Sequence, residues 1–432
     1  MDPTRPEPPS FLAKQHVLFA LRHAKFLPTP YQAEDNNRMT LAYFCLASLA
    51  LLPSSAVSTT DPTLSALDVM LKPAQKQGFR DWVYEQQMSG GGFRGSDSLA
   101  AASSPERGAG RDQEQGNVIQ TYTAMLVLGL LGDDFERLDR AALKRFLREC
   151  QNQDGSFSLF PGCEEAADPR SSYSAFAVAS MLDEWECIDV ERGLAFLECC
   201  RSYEGAYAQR PGLEANAGPT YCAIAAYSLA SRLHTISQPD RLLRWLVDRQ
   251  VEPPLPSHSE TDSDSDGLSE SRLSESVHDG IAAPPLKESL PSPAPQHRSD
   301  PPGSQFPLPN LAISSAGFQG RANKPTDACY SFWNVAALSI LIPSISPHLS
   351  LKDLVDPSLD RQWLLSCQHP LYGGIAREPK AQPDVYHTYL SLAALALGDA
   401  DSRELDLARL DAAWNVPQNV ATRIRSNLWK DA

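Results

Sequence analysis

The sequence lacks a basic excess, paired cysteines and any long unbroken apolar run, and each absence argues against a class of function. Its 432 residues carry 38 Lys+Arg against 53 Asp+Glu, a formal net charge of −15. Val251 to Gly317 holds ten acids and three bases, a balance of −7 that leaves −8 for the rest. Such a chain repels a phosphate backbone, which argues against nucleic acid as a partner. The nine cysteines are odd in number and fall without paired spacings, and no signal peptide precedes them. Reduced thiols in a cytoplasmic protein are therefore expected. The apolar run Met39 to Leu52 is too short and too broken by small residues to span a bilayer, so no transmembrane segment is expected.

What the chain does have is a repeat. From Trp82 onward a glycine turn follows one helix end and leads into another apolar helix. Gly90 to Gly95 precedes Tyr122, Gln153 to Phe157 precedes Tyr173, and Glu204 to Tyr207 precedes Tyr221. Gly317 to Gly320 then precedes Tyr330, and Tyr372 to Ile375 precedes His387. The first three tyrosines are spaced 51 and 48 residues apart, and Tyr330 and His387 by 57. Helix pairs at such periods stack into closed or open arrays. With an N-terminal pair near His16 to Phe26 and Arg38 to Leu52, about six pairs are expected. Every second helix is apolar nearly all round, so those helices should form an inner ring, giving an all-α toroid of α/α hairpins. The aligned tyrosines and His387 are expected at its mouth. Residues 1–10 read as disordered and 11–432 as a single barrel domain. Insertions at 96–116 and 251–315, rich in Ser, Pro, Gly and charge, are expected to be disordered.

The stretch Gly317 to Trp333 is the centre of the chemistry. Arg321 and Lys324 sit on a glycine loop, and Pro325 and Thr326 signal a helix start. Asp327 and Cys329 stand two apart, a step of roughly 200° on a regular helix, so both face one point only where the chain is still entering the helix. A thiol there is expected to lean toward thiolate in the helix dipole. His258, His278 and His297 lie in a low-complexity tract, and His16, His23, His234, His348 and His369 at helix ends, loops or charged surroundings. His387, opening another apolar helix, completes an Asp/Cys/His set that leaves zinc one open position; lone Cys and remote His residues are also ordinary core residues. Two weaker patterns have blander readings. Gly90-x-Gly92-x-x-Gly95 follows no strand and reads as a repeat turn. Asp262-x-Asp264-x-Asp266-Gly267 lacks the twelfth-position acid of a calcium loop and reads as a solvated acidic tract.

Arg321-Ala322-Asn323-Lys324-Pro325-Thr326-Asp327-Ala328-Cys329-Tyr330-Ser331-Phe332-Trp333 resembles the zinc-binding segment of protein prenyltransferase β subunits, and its Lys-Pro-x-Asp-x-Cys form is most similar to the type I geranylgeranyltransferases. The resemblance covers nearly all of the chain outside its inserts. It implies an α/α barrel, zinc held by Asp327, Cys329 and His387, and a prenyl diphosphate held by Arg321, Lys324 and Tyr330. Arg377 stands where the farnesyl enzymes carry a magnesium-binding Asp and the type I enzymes a Lys, which implies transfer without Mg2+. Thr40 stands where the farnesyl enzymes carry a tunnel Trp and so leaves room for a 20-carbon chain, which Phe44 helps to enclose; ordinary helix filler is the plainer reading of Thr40. Tyr173 matches a tunnel aromatic, and Arg170 matches an Arg that helps bind the peptide carboxylate; an ion pair with Asp168 or Glu165 is the plainer reading of Arg170. Asn216 and Asn117 depart from the family, standing where it has a diphosphate-binding His and a His near the peptide carboxylate. An Asn amide donates a hydrogen bond without charge.

The function this implies is geranylgeranyl transfer from the 20-carbon diphosphate to the Cys of C-terminal CaaX sequences, mainly with X = Leu, as in Rho-like small GTPases. A helical-repeat α subunit is the implied partner. The alternatives are a farnesyltransferase β subunit and a non-catalytic α-toroid scaffold. A terpene cyclase would need an Asp-x-Asp-Asp motif that the barrel part lacks.

Overall fold

Two kinds of helix alternate because two hydrophobic patterns alternate in the sequence. The computed structural model describes residues 9–57, 61, 63–97, 115–163, 167–251, 317–398 and 404–429, all in the unit formed by Met1–Glu252 and Ser314–Ala432. Its helices are α1 (Ala13–Lys25), α2 (Arg38–Leu51), α3 (Ala66–Met70), α4 (Pro73–Glu85), α5 (Val118–Leu130), α6 (Arg140–Cys150), α7 (Pro169–Leu182), α8 (Val190–Cys199), α9 (Ala217–Leu229), α10 (Pro239–Val247), α11 (Ala328–Ile345), α12 (Pro357–Ser366), α13 (Val385–Gly398) and α14 (Gln418–Leu428). Every residue of α5 is buried. In α6 only Ala142, Leu143, Phe146, Leu147 and Cys150 are, a single stripe at helical spacing. A helix of the first kind must be covered on all sides, whereas one of the second kind needs a single neighbour.

The ring follows from that need. α2 packs on α5, α5 on α7, α7 on α9, α9 on α11, α11 on α13, and α13 back on α2. Helices α1, α4, α6, α8, α10 and α12, each preceding its inner partner, lie outside. This is the expected toroid of six hairpins. Among the described residues one helix, Ala328–Ile345, is long and apolar enough to cross a membrane by length and composition, and it exceeds the Met39 to Leu52 run in that respect. It is α11, held between α9 and α13 in the inner ring.

Five of the six inner helices share a beginning, α2 being the exception. Asn117, Asp168, Asn216 and Asp327 cap α5, α7, α9 and α11, each side chain accepting a backbone N–H of the first turn. Asp384 does the same for α13, accepting the His387 N–H at 2.8 Å. Counted from these caps, Tyr122, Tyr173 and Tyr221 are five residues in, equivalent to Phe332 and Tyr389, while Tyr330 and His387 are three in. The expected alignment of all five at the mouth is thus two residues out of register. A two-residue step turns a side chain by roughly 200°, so Tyr330 and His387 belong to the first turn and the three tyrosines to a deeper layer.

That deeper layer grips the chain's end. Two-residue strands β5 (Leu410–Asp411) and β6 (Val416–Pro417) pair antiparallel around the turn Ala412 to Asn415. Tyr221, Tyr173 and Tyr122 donate to the carbonyls of Ala412, Ala413 and Trp414, each at 2.9 Å. Tyr389 donates to the Asn415 carbonyl at 2.6 Å, and Tyr43 reaches the same oxygen. All five rings are buried. Four carbonyls that no helix or sheet satisfies, those of the buried Trp414 and Asn415 and of the half-buried Ala412 and Ala413, are satisfied by a row of phenols.

Two other two-residue pairs fix loops. β1 (Gln250–Val251) pairs with β2 (Gly317–Phe318), so the chain leaves and re-enters the ring at adjacent points. β3 (Ile375–Ala376) pairs with β4 (Pro383–Asp384). The expected insertion at 251–315 therefore begins later than predicted, since Val251 is a strand residue; 252–316, including the acidic tract, lies outside the described residues. Of the insertion expected at 96–116, Ser96 and Gly116 are buried and 98–114 lie outside the described residues. Residues 1–8 of the predicted disordered N-terminus also lie outside, while Ser10 accepts a hydrogen bond from Gln368 at 3.2 Å. His16 is not at a periphery: it is fully buried, donating from Nε2 to Gln368 and accepting the Gly374 N–H at Nδ1, which ties α1 to the fifth glycine turn.

Candidate active site

The candidate metal-ligating set forms at the junction of α11 and α13. Asp327 has extended backbone angles, φ −145° and ψ 134°, and its Oδ1 accepts the Cys329 N–H at 3.0 Å. This cap folds the carboxylate back over the first turn, the geometry that a straight helix denies to residues two apart. His387 comes from the first turn of α13, and its Nε2 lies 3.3 Å from Asp327 Oδ1. One ligand atom from each of the three residues lies within 4.8 Å of the others. The opposite ring nitrogen, Nδ1, lies 2.6 Å from Asp384 Oδ2.

Electrostatics bind the three side chains into one unit. Burial opposes ionisation of Asp327, but its bonds to His387 and Cys329 outweigh this and hold the carboxyl below its ordinary value. Burial likewise opposes charge on His387, yet Asp327, Asp384 and Cys329 raise the imidazole well above 6.5. The Cys329 thiol is pushed up to about 12, by burial first and the neighbouring carboxylate second. The expected lean toward thiolate in the first helical turn is thus overturned: desolvation and an adjacent anion exceed the dipole. A divalent cation reverses the balance, because it replaces these protons on the same three donors. A carboxylate oxygen, a thiol sulphur and an imidazole nitrogen are a zinc-type donor set, and Asp384 fixes the tautomer that turns Nε2 toward the other two.

Cations border the set. Arg377 Nε lies 3.4 Å from Asp327 Oδ2, and its carbonyl accepts the Ala328 N–H at 2.9 Å. Arg377 is therefore an ion-paired neighbour of the cluster. The loop bearing Arg321 and Lys324 is pinned to the start of α9, where Ala217 N–H donates to the Gly320 carbonyl at 2.8 Å. Gly320 must be glycine: a Cβ there would lie 2.0 Å from the Tyr330 ring. Arg321 forms an ion pair with the exposed Glu214, and Lys324 is exposed. Asn216 spends its carboxamide oxygen on the Gly218 N–H at 3.0 Å, which leaves its NH2 as the donor. Asn117 similarly spends its oxygen on Ile119 and Gln120 N–H groups at 2.9 and 3.2 Å.

The remaining predicted residues have definite places. The Phe44 ring lies 5.6 Å from that of Tyr386, which abuts His387 at 5.0 Å. Thr40 is buried and donates to Gln120 Oε1 at 3.1 Å. Tyr173 belongs to the phenol row. Arg170 is forked onto Asp168, with Nη2 at 2.5 Å and Nε at 3.0 Å from Oδ2, so the ion pair is what the chain contains; Glu165 lies outside the described residues. Three further residues lie beside the predicted ones: Asp384 and Tyr386 against His387, and Gln120 against Thr40. Asp384 had a legible signal, standing three before His387 as a cap. Gln120 meets Thr40 only through folding.

Residues 11–416 match the family model described as the prenyltransferase alpha-alpha toroid domain. The chain belongs to this prenyltransferase family. It is 29% identical over 404 residues to the geranylgeranyl transferase type-1 subunit beta of Dictyostelium discoideum, covering 89% of this chain and 90% of that protein. It is 26% identical over 410 residues to the protein farnesyltransferase subunit beta of Schizosaccharomyces pombe, covering 90% of this chain and 79% of that one. Its fold is similar to that of Candida albicans protein geranylgeranyltransferase-I complexed with GGPP, with a TM-score of 0.70, 21% identity, and coverage of 97% of this chain and 99% of that chain. In the prenyltransferase toroid of this chain, the Asp/Cys/His corner lies where two consecutive inner helices begin, so both repeats contribute to one site.

Proposed function

We propose that this chain is the catalytic β subunit of a protein geranylgeranyltransferase type I, one barrel domain over 11–432 acting in the cytoplasm with an α subunit. The observation that carries this is the Asp327–Cys329–His387 set with Arg377 beside it, on a toroid whose relatives include type-1 β subunits. Asp327, Cys329 and His387 would hold zinc, which when bound supplies a position that keeps an incoming cysteine thiol deprotonated near neutral pH. In the transfer, the substrate sulphur bonds to C1 of the lipid as the C1–O bond breaks and diphosphate leaves. Arg321, Lys324, Tyr330 and Arg377 face the departing charge, which develops most in the transition state and is where their hydrogen bonds count. Asn216 adds a neutral donor. Arg377 takes the place of a magnesium ion, so Mg2+ is not required. Asp384 holds the His387 proton on Nδ1. Thr40, Phe44 and Tyr173 line the lipid, and Arg170 and Asn117 lie toward the CaaX carboxylate.

The test is co-expression with an α subunit, elemental analysis, and paired transfers of the 15- and 20-carbon donors to CaaX peptides ending in Leu or Ser, with and without Mg2+. About one zinc per dimer and Mg2+-independent geranylgeranylation of the Leu peptide are expected. Mg2+-stimulated farnesylation would transfer the reading to a farnesyltransferase, and absence of both zinc and transfer would leave a scaffold.

A further inference from the structure

The outer helix α1 carries a surface unlike the rest of this acidic chain. From Pro8 to Ala33 the sequence holds no Asp or Glu, while Lys14, Arg22 and Lys25 all fall within α1. At 100° per residue, Lys14, Leu18, Arg22 and Lys25 share one face about 80° wide, and all four are exposed. His16, Ala20 and His23 lie on the buried side. Apolar groups stand among the cations: Leu18 is exposed, as are Phe26 and Leu27 just past the helix, Phe26 to 76%.

A second apolar pair is pressed against the same helix. Gly374 donates its N–H to His16 Nδ1 at 3.0 Å, and a Cβ at Gly373 would lie 2.2 Å from the Gln15 carbonyl oxygen, so the fifth glycine turn lies directly on α1. Leu371 and Tyr372, the two residues before these glycines, are exposed, Leu371 to 71%. Tyr31 ties the end of the helix to the candidate metal corner. Its ring packs 5.7 Å from His23, and its hydroxyl accepts the Val385 N–H at 3.1 Å, two residues before His387.

We infer that this face of α1, together with Leu371 and Tyr372, docks the protein on a membrane surface of anionic phospholipid, with the mouth of the toroid alongside. Large apolar side chains clustered on a surface and rimmed by charge mark an interaction site. Cations at headgroup level are drawn to the lipid charge while the apolar tips between them enter the acyl boundary, and the long stems of Lys and Arg let both happen at once. An acidic protein partner would engage the cations but would have no need of five exposed apolar side chains. The rest of the chain, with its excess of acids, is repelled by the same surface, so the acid-free face is the one that approaches. The proposed function gives the contact its use, since a prenyl diphosphate and a prenylated product both partition into lipid; the contact itself rests on the surface alone.

The experiment is co-sedimentation of the αβ heterodimer with phosphatidylcholine vesicles that contain or lack phosphatidylserine, at rising salt. Binding is expected with phosphatidylserine and much less without it, fading as salt screens the cations. Lys14→Gln, Arg22→Gln and Lys25→Gln combined are expected to lower it about a hundredfold, each cation near an anionic surface being worth about fivefold. Phe26→Ser with Leu371→Ser is expected to lower it about tenfold. Neither of those residues is within a helix, so this pair keeps the inference falsifiable if the triple variant does not fold. Arg244→Gln, which removes an exposed cation from α10, is the control and is expected to change little. No phosphatidylserine-dependent binding by the parent, or equal binding by parent, control and variants, would overturn the inference. So would variants that lose the α subunit instead, because the face would then be a subunit interface. Sedimentation is read without transfer, so an inactive heterodimer that binds vesicles keeps this inference and sinks the proposed function, and an active one that ignores them does the reverse.

Discussion

His387 Nδ1 lies 2.6 Å from Asp384 Oδ2, and both residues belong to the same helix start. Asp384 accepts the His387 backbone N–H as well, so one carboxylate fixes both the main chain and the ring of a candidate metal ligand. Asp384→Ala is expected to weaken zinc binding about ten- to hundredfold, and Asp384→Asn, which keeps an acceptor without charge, by less. Chelator competition on the purified dimer measures this directly. Equal affinity in all three proteins would remove Asp384 from the site.

Arg321 is occupied by Glu214, whose carboxylate is half exposed and competes with any anion that approaches. Glu214→Ala is expected to lower KM for the prenyl diphosphate, by up to about fivefold given the small strength of exposed ion pairs. A KM that rises or stays put would count against Arg321 as a diphosphate ligand.

The buried Tyr173 donates to the carbonyl of the half-buried Ala413. Tyr173→Phe keeps the ring and strands that carbonyl, so a loss of about 1–3 kcal/mol is expected in urea unfolding followed by circular dichroism. A change below a few tenths of a kcal/mol would mean that the row of phenols does not hold the C-terminal turn.

Asp360 is fully enclosed and accepts from Ser331 at 2.6 Å; burial, against the pull of that hydrogen bond, pushes its carboxyl up to about 7 from 3.8. Between these values the folded chain binds a proton that the unfolded chain releases. The associated stability is fully present below 3.8 and is lost as pH rises through 7. Asp360→Asn does not titrate and is expected to melt higher than the parent at pH 8, with the gap closing toward pH 4. A gap that is constant with pH would refute the assignment.

His16 works in the opposite sense. Burial, against the Gln368 hydrogen bond, pulls its ring down to about 4 from 6.5. Its contribution is intact above 6.5 and is lost as pH falls through 4. Thermal melts from pH 7 to 4 are expected to show a steeper decline for the parent than for His16→Asn, and parallel declines would refute this.

The Asp/Cys/His corner was legible because the cap is a local event: Asp327 and Cys329 converge through two backbone angles, and a helix start is written in adjacent residues. The equivalence of Asn117, Asp168, Asn216, Asp327 and Asp384 was equally local, although counting from the tyrosines instead of the caps put Tyr330 and His387 two residues out. Cys329's acidity was misjudged because a dipole is a property of one helix, whereas burial and the Asp327 field belong to the assembled site. His16 had nothing in its own neighbourhood to mark it, since Gln368 is 352 residues away.

The sequence by itself determined which helices face inward, how many pairs there are and where a metal would sit, because amphipathic period, turn residues and caps act within a few residues of chain. Only the tertiary structure decided what fills and lines the ring. The phenol row that grips Ala412 to Asn415, the Glu214 carboxylate on Arg321 and the Thr40 bond to Gln120 all join residues from different repeats. Their partners are chosen when the ring closes and each buried polar atom must find a match, a condition that no local stretch of sequence encodes.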